Sequence, residues 1–294
     1  MRHSLSTLFI FGLLSACGGG GGGGSVDTSS TQAAATTTRT QVTGDADSVS
    51  VTLSNGAVTG FSAVNISNSA SFDVTENISD SQVTKFTLSN VSGSATFNTG
   101  SGDTINQITR NGITILAAKS SSADALMVAM PNSGFGVYMA APNASSGFGA
   151  STYAGRNGVS SFNPTGTANY VGGVIGLYAV TGFSPVYTAA DLTAAANFGT
   201  NTITLTTSGT QGINPATGAY LGNYGALDIS ATSLIDSNGN NMFVGNISDG
   251  SGLSGSAEIA LFGSSGQELA GIGSLSDNAS TPTKVHLISF GGDK

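Results

Sequence analysis

Apolar and polar residues alternate through most of the chain, and helical spacing is almost absent. In "VSVTLSNGAV", Val49, Val51, Leu53 and Val58 share one face while serine and threonine take the other. Asn55-Gly56 sits between the two runs and supplies the positive φ angles of a type I′ hairpin turn. Asn111-Gly112 does the same in "ITRNGITI", setting Ile108 opposite Ile115. "FDVTENI", "KFTLSNV" and "ATFNTG" read as further short strands. The run "KSSSADALMVAMPNSG" fits either a strand at Met127–Met130 or a helical turn over Ala123–Met130. A strand over Phe135–Met139 follows.

Beyond it the strands lengthen. "TANYVGGVIGLYAV" carries glycines inside a strand pattern, which marks bends or close backbone approach. "TNTITLTTS" alternates Ile203 and Leu205 with threonine. "GALDISATSLI" is expected to put Leu227, Ile229, Ala231 and Ile235 on one face. "SGSAEIALFG" does so with Ala257, Ile259 and Leu261, leaving Glu258 outward. With "NMFVGNI", "ELAGIGSL" and "KVHLISF", about eight strands fill residues 147–294, enough to close a barrel filled by side chains. The expected fold is all-β: a small antiparallel handle-like domain at 41–146, then an eight-stranded antiparallel barrel at 147–294.

Composition supports exposed sheet. Charged residues are 8% of the chain, where about 25% is usual, and Ser, Thr, Asn and Gly take their surface positions. The net charge is −8 with no basic run, which argues against nucleic acid and anionic membrane surfaces as partners.

The N-terminus changes the picture most. Met1-Arg2-His3 precedes an apolar run from Leu8 to Leu14, too short for a membrane span of roughly 20 residues and shaped like an export signal. Leu14-Ser15-Ala16-Cys17 resembles the lipobox of bacterial lipoproteins. The resemblance implies cleavage between Ala16 and Cys17, lipidation of Cys17 with palmitate-type chains, and a signal peptide at 1–16. Gly18 is not the aspartate of inner-membrane retention, which points to the outer membrane. Residues 17–40 then read as the lipidated cysteine and a Gly/Ser/Thr-rich tether, poor in residues that drive folding. As a coil of roughly 24 residues it would span about 25–30 Å.

The second half resembles the β-barrel lobe of the transferrin-binding protein B family, which includes factor H-binding protein. "ANYVGGVIG", "ANFGTNTITL", "MFVGNI" and "SGSAEIALFGSSGQELAGIGSL" carry the likeness in order. Phe262-Gly263 ends an outward-facing strand, and Glu268-Leu269-Ala270-Gly271 follows the family's glutamate–apolar–small–glycine pattern. The closing "KVHLISFGGDK" is similar to the final strand. The resemblance implies a surface-exposed lipoprotein that captures a macromolecule or a small nutrient, often linked to iron or haem uptake. It also implies export by a surface lipoprotein assembly modulator. A structural or adhesive envelope lipoprotein is the alternative. No ligand-contacting residue carries over, and no cofactor is implied.

Candidate chemistry is sparse. Cys17 is the one cysteine, which excludes an internal disulfide and thiolate metal sites by count. His286 is the one imidazole left after signal removal, either an axial haem ligand or a hydrogen-bonded strand residue. Without a Gly-x-Ser-x-Gly elbow, a serine triad lacks its frame. Asp236–Asn241 lacks the acidic ligands of a calcium loop and reads as a turn at Asn238-Gly239. Asp45 with Asp47, and Glu76 with Asp80, are the nearest carboxylate pairs; solvated turns explain them better than a glycosidase. Neither a catalytic residue nor a metal ligand is expected. Phe148, Tyr153, Phe183, Tyr187, Tyr220 and Tyr224 lie beside loops and could anchor a partner or fill the core.

Overall fold

Alternating sequences have become strands throughout. A computed structural model describes residues 36–42, 44–67, 69–77, 82–141, 143–156, 164–230, 232–236, 241–277 and 280–294, with backbone alone at 36–42, 76 and 77. Ala16, Cys17, the tether's glycines, Asp80 and Asn238-Gly239 lie outside these residues. The N-terminal strands are β1 (Thr36–Val42), β2 (Ala46–Ser54), β3 (Ala57–Phe61), β4 (Asn65–Ser67), β5 (Ser71–Asn77) and β6 (Val83–Asn90). There follow β7 (Gly93–Asn98), β8 (Thr104–Arg110), β9 (Ile113–Lys119), β10 (Ala123–Ala129), β11 (Ser133–Ala140) and β12 (Ser146–Gly155). The later strands are β13 (Thr167–Val180), β14 (Val186–Asn197), β15 (Thr202–Ile213), β16 (Tyr220–Asn223), β17 (Thr232–Ile235), β18 (Met242–Ser248), β19 (Ser254–Phe262), β20 (Glu268–Ser276) and β21 (Lys284–Asp293). Among the described residues there is no α-helix.

Pairing makes three antiparallel assemblies. A four-stranded sheet runs β1-β5-β6-β7, and an eight-stranded sheet runs β3-β2-β12-β11-β10-β9-β8 with β4 added beside β2. The remaining strands run β14-β13-β21-β20-β19-β18-β17-β15, and β14 pairs with β15 to close an eight-stranded barrel; β16 extends β15 outside the closure. An all-β handle-like region followed by a closed barrel is thus the observed architecture.

Period two explains how these assemblies stack. Leu116, Ala118, Met127 and Tyr138 point from the eight-stranded sheet towards Phe72, Phe86, Leu88 and Phe97 of the smaller sheet. Their neighbours Ile115, Leu126, Phe135 and Val137 point the other way, onto Ile175, Leu177, Ile272 and Leu287 on the barrel's outer wall. The opposite faces of those barrel strands, including Tyr170, Leu192, Ile259 and Phe290, fill the interior. Val49, Val51, Leu53 and Val58 all join the sheet–barrel core, and Asn55 and Asn111 adopt φ of 51° and 45° at their turns. Ile108 pairs with Ile115 as expected. The undecided run at Ala123 forms strand β10.

Two details differ from the sequence expectation, and a third meets it. Residue 147 falls inside β12, which pairs with β11 and β2, while the first barrel strand begins at Thr167. "GALDISATSLI" is not one strand: Gly225–Leu227 forms a 3-10 turn, Ile229 makes an isolated antiparallel bridge to Asp249, and ladder pairing resumes in β17. The pleat therefore restarts, so Leu234 is buried and Ile235 is exposed. Glycines of β13 mark close approach: a Cβ on Gly173 would lie 2.1 Å from Ile113 of the sheet.

Candidate functional site

Strand register brings several loops to one end of the barrel. Val180 pairs with Lys284, Tyr187 with Ile213, Ile213 with Tyr220, and Ser254 with both Ser248 and Ser276. The β13–β14 turn, the β15–β17 segment and the β18–β19 and β20–β21 connections consequently share a rim.

An aspartate braces three of these segments. Asp228 accepts from Gly209 N, Thr210 N and Thr210 Oγ1 at 3.0, 2.9 and 2.5 Å. Asp249 accepts from Ser251 N, Ser251 Oγ and Leu253 N at 2.9, 2.8 and 3.0 Å. Asp277 accepts from Thr283 N at 2.9 Å, from Lys284 N at 3.1 Å and from the Thr283 hydroxyl. Partial burial works to raise the Asp277 pKa, but these hydrogen bonds outweigh it and hold the group below its ordinary value. Asp249 accepts from N–H groups two and four residues on, which fixes its turn locally, whereas Asp228 reaches back across the sheet to Gly209 and Thr210.

The β13–β14 turn is held differently, by the edge of the eight-stranded sheet. Gly182 N donates to Val58 O at 2.7 Å and Val58 N donates to Phe183 O at 3.0 Å. Phe183 is left 68% exposed, and Tyr220 and Leu221 on β16 are 46% and 59% exposed. Of the six aromatic candidates, Tyr153 and Tyr187 are core residues. Phe148 stacks edge-on against Tyr138, and Tyr224 packs half-buried on the barrel core. Phe183 and Tyr220 alone among the six stand at the surface. The rim thus combines fixed backbone, acidic side chains and uncovered apolar groups.

His286 lies inside the barrel, 3% exposed. Its Nε2 is 3.3 Å from Thr188 Oγ1, its Nδ1 has no hydrogen-bond partner, and its ring meets Tyr178 edge-on at 5.8 Å. Burial pushes its pKa down to about 4. A sealed neutral ring with no acid on Nδ1 does not form the base of a triad, and its burial closes it to a haem iron. Gly176 makes its room, since a Cβ there would sit 2.5 Å from Nε2.

The carboxylate pair Asp45 and Asp47 gains a third member that the sequence left outside, Glu258 of β19. Glu258 faces away from the barrel interior, as expected, but onto the N-terminal sheet. Burial first, and the charge of nearby Asp45 second, push its pKa up to about 8, while Tyr153 donates its hydroxyl to Asp45 Oδ2 at 3.0 Å. Glu76 contributes backbone only to the description, so the second pair stays outside it.

Glu268, singled out by its strand pattern, is a buried tie between barrel and sheet. Its carboxylate accepts from Asn132 N at 3.1 Å, Asn132 Nδ2 at 2.9 Å and Ser133 Oγ at 2.8 Å. Among the described residues, no group of three or more His, Cys, Asp or Glu is placed to hold a metal.

Three of the solved structures similar to this chain are as follows. The haemoglobin receptor HpuA from Kingella denitrificans is 18% identical with a TM-score of 0.42, over 91% of each chain. The isotype 1 transferrin-binding protein B of serogroup B Neisseria meningitidis is 11% identical with a TM-score of 0.38, over 88% of this chain and 77% of that one. A surface lipoprotein is 10% identical with a TM-score of 0.42, over 85% and 98%. The likeness is one of fold. No family model and no curated protein matches the sequence.

The rim was hard to see from sequence, because its aspartates sit in ordinary turn contexts. Asp249 and Asp277 are each followed within a few residues by the Ser or Thr that they bind, a signal that could have found two of the three braces; the donors to Asp228 lie well before it in the chain.

Proposed function

We propose that this chain is a noncatalytic, lipid-anchored outer-membrane protein that captures a soluble macromolecule at the cell surface through this end of its barrel. The observation that carries the reading is the set of uncovered apolar side chains, Phe183, Tyr220 and Leu221, held on braced backbone. Fixed aromatic groups bind at low entropic cost. The barrel interior is packed with side chains, which favours a ligand held outside over a small nutrient held within. The lipobox at Cys17 and the tether of residues 17–40 support the anchor and its reach. Iron or haem acquisition, and export by a surface lipoprotein assembly modulator, rest on the sequence resemblance alone.

The adhesive alternative has one observation in its favour. β16 is an edge strand with no partner on its outer side among the described residues, and such edges invite pairing with another chain. Concentration-dependent self-association lost in Leu221→Lys would favour it.

The deciding experiment is protease shaving of intact cells, followed by immunoblot beside a periplasmic control. Loss of the protein while the control survives supports the surface reading. Survival until the outer membrane is permeabilised sinks it.

A further inference from the structure

Two cross-strand rows meet where the N-terminal sheet borders the barrel wall. On the sheet, Asp47 of β2 pairs with Ile66 of β4. On the barrel, Glu258 of β19 pairs with Val244 of β18 on one side and Ile272 of β20 on the other. Directly opposed residues of an antiparallel pair share a face, so each acid stands beside an aliphatic side chain. All five line a cleft of about 360 Å³.

Both acids are desolvated there, and neither has a counter-charge. Asp47 is 4% exposed, and Glu258 Oε1 is buried without a hydrogen-bond partner. Among the described residues no Lys, Arg or His lines the cleft. The charges bearing on the pair are themselves acidic: Asp45 on both, and Asp47 on Glu258. Carboxyls buried in this way are costly until a cation meets them. Ile66 and Val244 remain exposed, so the cleft has an apolar lip above an acidic floor.

This construction selects its occupant. A metal ion does not suit it, since no group of three or more His, Cys, Asp or Glu among the described residues is placed to hold one. An alkylammonium or alkylguanidinium suits both parts: its head donates to carboxylates, and its methylene stem packs on aliphatic groups. We propose that the cleft binds such an aliphatic cation, with its head between Asp47 and Glu258 and its stem against Ile66 and Val244. A lysine or arginine of a partner's segment carries this group, and so does a free amine. Burial pushes the carboxyl pKa up, to about 6 at Asp47 and about 8 at Glu258, and a bound cation would draw both down. An adjoining groove of about 720 Å³ shares Asn246 and Ser256 with the cleft and has room for the rest of a chain. The site stands whether or not the rim binds a partner.

Titration of the full chain with butylguanidinium, followed by amide NMR, tests this. Val244, Gly245 and Ser256 should shift together and saturate, and the neutral isostere butylurea should bind about tenfold more weakly. Asp47→Asn should lower the affinity for butylguanidinium by about tenfold. Val244→Lys, which changes an exposed residue and sets an ammonium at the lip, should do the same and decides alone should Asp47→Asn fail to fold. An equal response to butylurea, shifts scattered over other acidic surface, or unchanged affinity in the variants would overturn the site. The peptide acetyl-Gly-Arg-Gly-amide separates the two sources: tighter binding than butylguanidinium assigns the cation to a partner's side chain, and weaker binding assigns it to a free amine.

Discussion

Phe262, at the end of β19, occupies the space that a side chain at Gly155 would need: a Cβ on Gly155 would lie 2.2 Å from its ring. The same ring meets Tyr153 edge-on at 6.1 Å. One glycine of the N-terminal sheet thereby accepts an aromatic from the barrel wall, and the two layers lock in register.

Gly155→Ala should consequently overpack the interface, at a cost of roughly 1–3 kcal/mol. Gly60→Ala is the contrast, since its nearest neighbour is Thr52 Oγ1 at 3.6 Å, and it should be close to neutral. Urea denaturation of the two variants checks the difference; equal midpoints would remove the packing argument.

Glu268→Gln replaces an acceptor of three donors by an amide that must turn one N–H towards them. The expected loss is about 2–3 kcal/mol, the scale of leaving buried polar groups unpaired. Exchange at Asn132 and Ser133 should rise before the rest of β11. Uniform exchange across β11 would show that Glu268 is not the tie.

His286 gives an acid-side prediction. Its folded pKa of about 4 lies below the ordinary histidine value of 6.5, so the unfolded chain takes up the proton first. Stability is complete above pH 6.5 and is lost as pH falls towards 4, with a ceiling of order 3 kcal/mol. His286→Gln should flatten that segment of the stability profile relative to wild type. Parallel profiles would count against the buried neutral ring. Added haemin should leave the absorption of wild type and variant alike.

Cys17→Ser should release the protein from the membrane fraction and abolish labelling with a palmitate analogue. Acyl chains contribute about 0.8 kcal/mol per buried methylene, so partial retention is not expected. Full membrane retention of the variant would defeat the lipobox reading.

The strand pattern was legible because it is local. Val49, Val51 and Leu53 alternate, Asn55-Gly56 supplies the turn, and Val58 returns on the same face. Pairing partners were less legible, because backbone hydrogen bonds carry no residue code: nothing local in Ser146–Gly155 says that it joins β2 and not a barrel strand. Leu227 and Ile229 keep the expected buried face on either side of Asp228, and the alternation is out of step only in β17, where Leu234 is buried and Ile235 exposed. Glu258 was rightly read as facing out of the barrel, yet its acidic surroundings come from β2, far away in sequence. The rim escaped notice for a similar reason, since register alone gathers its loops.

The barrel closes through β21, whose residues Lys284–Asp293 pair with Val171–Val180 on β13. That closing seam joins the first barrel strand to the last, so Lys284–Asp293 must be made before the cylinder can exist. Such nonlocal pairing is slow to form. Until then the polypeptide stays threadable, and the timing of its final strand sets when it ceases to be so.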